Sequence, residues 1–193
     1  MKTSNLTLSI LLLIVTAACQ PKDNLTYRYA DKAQDITCDT TNDRLLNEAL
    51  YTFENAIVNT YDQENKILNS AYGRFTYIGL SGAAEYDRIA DSHAFAVRDA
   101  LLKQGILIEN GTFSNLNYDH PAVQCIIENI SDVKLKSTIT ALIDTNSMNP
   151  KLFDSRLRNV GRNVSKDRYV ALYTALDAFY QNLVGLPAPT TIQ

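Results

Sequence analysis

The sequence predicts an all-α fold: a single compact bundle of five or six helices, with room for one small hairpin near 106–113. Two observations carry this. From Asn42 onward, apolar residues recur at three- and four-residue steps over long stretches, the period of a helix with one buried face. Between those stretches stand paired start and stop signals: Ser92 with Gly105, Asp119-His120-Pro121, Asn149-Pro150 with Gly161, and Ser165 with Gly185 and Pro187. No internal repeat or low-complexity tract interrupts them.

Leu46, Leu50, Phe53, Ile57, Tyr61 and Leu68 define the first stripe, with Glu48, Asn55, Asn59 and Asn65 off it. This predicts one long helix over 42–69, with Thr40 as its cap and Asp43 three residues on. The stretch 71–82 holds Gly73, Gly79 and Gly82, which weaken a helix. Phe75, Tyr77, Ile78 and Leu80 in the same stretch call for burial, so it reads as a short or broken helix. A second helix, starting near Ala83 or Ser92 and ending at Gln104, takes Ser92 as cap and Gly105 as stop. Its apolar face is Ala90, Ala94, Val97 and Leu101.

Ile106 to Ile108 and Thr112-Phe113 flank Asn110-Gly111, the pattern of a hairpin around a type I′ turn. Pro121 at a first helical position opens a helix through Cys125, Ile126 and Ile130. Ser131 caps the next, with Leu135, Ile139 and Leu142 on one face. Asn149-Pro150 opens another through Phe153, Leu157 and Val160. Ser165 caps the last, lined by Leu172, Leu176, Phe179 and Leu183. The helical domain therefore spans 39–185, and 186–193 reads as a frayed tail.

The chain begins differently. Lys2 is a positive start, and Leu6 to Val15 is apolar apart from Thr7 and Ser9. About 20 apolar residues are needed to span a bilayer, so this run suits a cleavable signal better than a permanent anchor. It ends in Thr16-Ala17-Ala18-Cys19, small residues before a cysteine. The stretch resembles the lipobox of bacterial lipoprotein signal peptides, departing at Thr16, where that family prefers Leu or Val. The other reading is an ordinary secretory signal cut near Ala18.

The resemblance implies a signal peptide at 1–18 and a mature N-terminus at Cys19. Diacylglycerol would sit on its sulfur and a further acyl chain such as palmitate on its amine. Each buried methylene contributes about 0.8 kcal/mol, and two or more chains anchor stably. Gln20 is compatible with sorting to the outer membrane. Pro21-Lys22-Asp23 is loosely similar to the charged export tag of Bacteroidota surface lipoproteins, which leaves the periplasmic or surface face open. Residues 19–38 then form a lipidated N-terminus and flexible tether. Asp39-Thr40-Thr41 also matches the short O-glycosylation pattern of that group, against the plainer role of Thr40 as a cap.

With the signal removed, 175 residues remain, enough for one domain with a core. They carry 17 basic against 21 acidic side chains and no Lys/Arg block, so nucleic acid is not an expected partner. The chain has three cysteines. Giving Cys19 to lipid leaves Cys38 and Cys125 as one disulfide, in a compartment that favours bridges. Two buried thiols, or a redox or metal role, are the alternatives.

No catalytic residue, metal ligand set or cofactor is assigned. Gly79-Leu80-Ser81-Gly82 lacks the spacing and the strand context of a nucleophile elbow, and Ser81 reads as a helix cap. His93 and His120 have no second ligand at helical spacing. Asp144 to Asn149 begins like a calcium loop but places Met148 at a ligand position and Asn149 where the glycine belongs. Glu85, Asp87, Asp91, Glu109 and Asp119 sit near plausible turns, where a carboxylate pair for acid/base work is one reading. With 21 acidic residues in the chain, the stronger reading is solvated helix faces with i,i+4 partners such as Asp154 with Arg158.

The binding candidates are Tyr72, Arg74, Tyr77, Tyr86 and Arg88, clustered with Phe75 around the glycines; Tyr and Arg are favoured at binding hot spots. The eleven tyrosines suit interfaces or the wet edges of helices. The expected function is a membrane-anchored envelope lipoprotein, a non-enzymatic binding or accessory module for a protein partner or a glycan. The alternatives are a small lipid-anchored hydrolase of cell-wall or polysaccharide substrates, and an inhibitor or immunity lipoprotein that presents a protruding loop.

Overall fold

Helices α1 (Asp43–Tyr61) and α2 (Leu68–Gly79) are separate elements where the sequence predicts one helix to 69. In this computed structural model, which describes residues 25–38, 41–148, 152 and 154–189, Asp62 is the reason. Its carboxylate turns back to accept the Ile67 amide at 2.8 Å, and Lys66 takes the left-handed conformation (φ 53°). The chain reverses within five residues, and the stripe resumes on a second helix. α2 is continuous through Gly73 and ends at Gly79, held by tertiary packing rather than propensity.

The remaining helices are α3 (Tyr86–Ile89), α4 (Ser92–Lys103), α5 (Pro121–Glu128), α6 (Val133–Asp144) and α7 (Asp154–Val160). A 3₁₀ turn (Gly161–Lys166) leads to α8 (Arg168–Thr174) and a π-helical segment (Ala175–Tyr180), and α9 (Gln181–Leu183) closes the run. The fold is all-α, with more helical segments than the five or six expected.

Three predicted serine caps give way to carboxylates. Asp91, Asp132 and Asp167, rather than Ser92, Ser131 and Ser165, accept the amides of Ala94, Leu135 and Val170. A charged oxygen also gains from the positive end of the helix dipole. Ser81 does not start a helix; it donates to the Ile78 carbonyl at the end of α2. Thr40, Asn149-Pro150 and Phe153 lie outside the described residues.

The core forms where α1, α2 and the last helical run meet. The Phe53 ring stands 5.4 Å from that of Tyr72, 4.9 Å from Phe75 and 5.2 Å from Phe179. Leu46, Leu50, Ile57, Leu172, Leu176 and Leu183 close around them with no exposed surface.

In the π segment the Gln181 side-chain amide donates to the Asp177 carbonyl. The Gln181 backbone N–H, which would take that carbonyl in an α-helix, bonds to Leu176 instead. Asn182 does the same at the Ala178 carbonyl. Side chains inserted into the ladder widen the helix by one residue.

The predicted hairpin is larger than 106–113. Ile108 N–H donates to Asn115 O and Asn117 N–H to Ile106 O, around a bridge between Leu107 and Leu116. The turn is not a two-residue type I′. Asn110 is left-handed (φ 58°), and Gly111 passes so close to Ser114 that a Cβ would stand 1.8 Å from its carbonyl oxygen.

The flexible tether expected over 19–38 requires the largest correction. Its residues 25–38 are a strap seated on α1. Glu48 accepts the amides of Arg28 and Tyr29 at 2.7 and 3.0 Å. Asn47 pairs with both the N–H and the carbonyl of Ile36, and Ile36 is fully buried. Arg168 joins strap Asp35 to Glu54 of α1. The strap ends in a disulfide, Cys38–Cys125, with a Cα separation of 5.9 Å. At the other terminus, Leu186 is also held: its carbonyl accepts from Arg98 at 2.6 Å.

Candidate functional site

The five predicted binding residues do not form one patch. Tyr72 is a core residue with no exposed surface, its hydroxyl on Glu54 at 3.2 Å. Burial first, then the Glu54 charge, push its phenol well above the usual range. Tyr86 is half-buried beside the Phe179 ring. Its hydroxyl lies 3.4 Å from the Gly79 carbonyl, and burial raises its pKa to about 12.

Arg74 and Tyr77 do come together. They lie a turn apart on the solvent face of α2, along an open groove of about 440 Å³ that Gly73 and Tyr61 also line. Tyr77 is 69% exposed and Ile67, on the same stripe, 55%. The expectation that Tyr77 seeks burial was wrong: helical spacing from Phe75 turns it outward. Gly73 has open space where a side chain would be, which gives the groove its floor. Arg74 is braced against the Tyr61 carbonyl at 2.6 Å. The Arg158 guanidinium lies 5.3 Å from the Tyr77 ring, within cation–π range.

Arg88 belongs to a different recess, described below, and pairs with Glu85 at 2.7 Å. The histidines do not meet in a pocket. His93 is buried against Glu48 at 2.6 Å. His120 caps α5, its Nδ1 accepting the Ala122 amide. Among the described residues no three metal-ligating side chains converge, and no described helix is long and apolar enough to cross a membrane. Cys19 lies outside the described residues.

A second cleft, of about 340 Å³, opens between the 108–119 loop and the end of α6. Its apolar rim includes Phe113, which is 61% exposed, and Met148. Met148 is the residue that breaks the calcium-loop pattern, and it serves here as packing. Tyr118 forms part of the wall, and behind it lies Asp177 of the π segment. Asp177 accepts from the Tyr118 hydroxyl at 2.8 Å, while its other oxygen is buried without a hydrogen-bond partner.

Burial, opposed by the Tyr118 hydrogen bond and reinforced by the charge of Asp154, raises Asp177 to about 6. Gln181 links this network to the loop by accepting from the Ser114 hydroxyl and the Asn115 N–H. Sequence reasoning missed this group, because a lone Asp among apolar residues reads as a surface break in a helix. Asp177 does not line the cleft, so it braces the wall and does not face a ligand.

Compared with known protein families, curated proteins and solved structures, the chain shows no significant match.

Proposed function

We propose that this chain is a lipid-anchored envelope protein, with a residue after the lipobox cysteine, Gln20, compatible with sorting to the outer membrane, that acts as a non-enzymatic binding module and docks a protein partner on the open face of α2.

 The observation that carries this reading is the stripe formed by Ile67, Arg74 and Tyr77, in which two large apolar side chains stand in solvent beside a braced guanidinium. Exposed aromatic and arginine side chains around a groove have the composition of an interface hot spot.

The lipobox resemblance at Thr16 to Cys19 supports the anchor. Because the strap packs against the core from Leu25 and its amides are held from Arg28 onward, five residues separate Cys19 from the domain, a reach of about 20 Å at full extension. An anchored domain on so short a connection works within one molecular diameter of the bilayer.

The test uses the full chain expressed in a bacterial envelope. Cys19→Ser is expected to move the protein from the membrane fraction to the soluble one; retention in the membrane removes the lipid anchor from this reading. Cross-linking followed by mass spectrometry is expected to recover a partner from wild type and to lose it in Tyr77→Ala and Arg74→Ala. A partner recovered equally by all three proteins places the interface elsewhere.

The inhibitor reading has one observation on its side. Phe113 stands exposed on the 109–114 loop, which Gln181 holds from behind. Loss of the partner in Phe113→Ala but not in Tyr77→Ala selects that reading.

A further inference from the structure

We infer that the recess between the strap, α1 and the α3–α4 turn binds a neutral, polyhydroxylated ligand, a single sugar residue such as a glycan end. This site does not depend on docking at α2. The two openings are neighbours across the last turn of α1, with Thr60 lining the recess and Tyr61 the α2 groove.

The recess measures about 220 Å³. That is below the ~300–1,000 Å³ of pockets for drug-sized ligands and suits one small ring. Three parts of the chain build it: Arg28 and Tyr29 from the strap, Asn55 and Asn59 from α1, and Arg88 of α3 with Asp91 at the start of α4.

Its walls are fixed from behind. Glu48, 2% exposed, accepts the amides of Arg28 and Tyr29 and bonds His93. Asp91 caps α4 through one oxygen and takes Arg28 on the other at 2.9 Å. A site whose lining is locked by a second set of hydrogen bonds is preorganised for a ligand.

The α1 wall adds an independent sign. Asn55 and Asn59 stand one turn apart on the exposed face, and neither side-chain amide has a hydrogen-bond partner among the described residues. Asparagine is a poor helix former, so these two positions give up helix stability with no return in the fold.

The chemistry of the lining selects the ligand. A metal would find one carboxylate, Asp91, already engaged on both oxygens. An anion would find each guanidinium facing a carboxylate, Arg28 on Asp91 and Arg88 on Glu85, and so no net positive field. An apolar ligand would strand the two amides. A sugar offers what the lining lacks: adjacent hydroxyls that both donate and accept, which the Asn55 and Asn59 carboxamides match.

The test is titration of the full chain, solubilised in detergent, with the methyl glycosides of hexoses and N-acetylhexosamines, read by NMR of the asparagine side-chain amides. The expected result is saturable shifts of the Asn55 and Asn59 signals with at least one glycoside. The double variant Asn55→Ala/Asn59→Ala is expected to weaken binding at least tenfold with an unchanged melting temperature, and Tyr77→Ala to bind as wild type. Arg88→Ala, on a side chain 75% exposed, repeats the test without altering α1 and is expected to weaken binding too. The proposal is overturned by the absence of saturation with every glycoside, by saturation that survives both the double variant and Arg88→Ala, or by inorganic phosphate saturating the same signals where the glycosides do not.

Discussion

The Nε2 of His93 lies 2.6 Å from Oε1 of Glu48, with both side chains closed off from solvent, and the same carboxylate anchors the strap at Arg28 and Tyr29. Glu48→Ala would leave two backbone amides and a buried imidazole without their acceptor. The expected loss is about 3 kcal/mol, measured from the denaturant midpoint. Hydrogen exchange at residues 28 and 29 should accelerate while Ile36, held separately by Asn47, keeps its protection. Equal acceleration at all three would mean that the strap lifts as one piece.

The Cys38–Cys125 bridge joins residues 87 apart in sequence. In the chain-entropy model a loop of that length contributes about 4.6 kcal/mol, and often less in practice. Reduction, or Cys38→Ser with Cys125→Ser, should lower the melting temperature markedly while the helical circular dichroism of the folded state persists. An unchanged melting temperature would show that the strap contacts alone restrain the chain.

Asp177 gives the protein a pH dependence of unusual sign for a carboxylate. Its folded pKa of about 6 exceeds the ordinary 3.8, so the folded state holds the proton more tightly than the unfolded one. The stabilisation is complete below pH 4 and is lost as pH rises through 6, amounting to about 3 kcal/mol. Asp177→Asn keeps an oxygen for Tyr118 and removes the charge. The variant should therefore be more stable than wild type at pH 8 and lose the decline between pH 4 and 6. If the two proteins run in parallel across that range, Asp177 is not the titrating group.

Gly111→Ala tests the turn of the 106–117 pairing. A Cβ 1.8 Å from the Ser114 carbonyl oxygen cannot be accommodated without moving backbone, at a cost of about 2 kcal/mol. The displacement should also loosen the Ser114 and Asn115 contacts to Gln181, seen as faster exchange at residue 115. A neutral melting temperature would show that the loop relaxes freely.

The helical class was legible because the buried face of each helix repeats in sequence: Leu46, Leu50, Phe53 and Ile57 in α1, and Leu172, Leu176, Phe179 and Leu183 at the end, are all buried. The break at Asp62 was hidden because the stripe continues across it, and only the tertiary turn decides which helix each residue joins. The strap was hidden for a different reason. Its polar sequence gives no apolar period, and its attachment comes from backbone groups meeting Asn47 and Glu48, side chains that read as surface positions. Of the candidate binding residues, Arg74 and Tyr77 were placed together by helical spacing. Tyr72 and Arg88 went elsewhere because proximity in sequence says nothing about which side of a helix pair a residue joins.

The widened turn at Ala175–Tyr180 sets an angular phase. Each residue of an α-helix advances its side chain by about 100°, so one residue more or fewer rotates everything beyond it. Gln181 meets Ser114 and Asn115, and the Leu183 carbonyl meets Arg98, only because that count is what it is. Removing a single residue from 175–180 would swing both contacts out of reach together, uncoupling the 106–117 pairing and α4 from the end of the chain in one step. The clocking of the last helical turn thus rests on the residue count of that segment together with the Gln181 and Asn182 side chains that widen it.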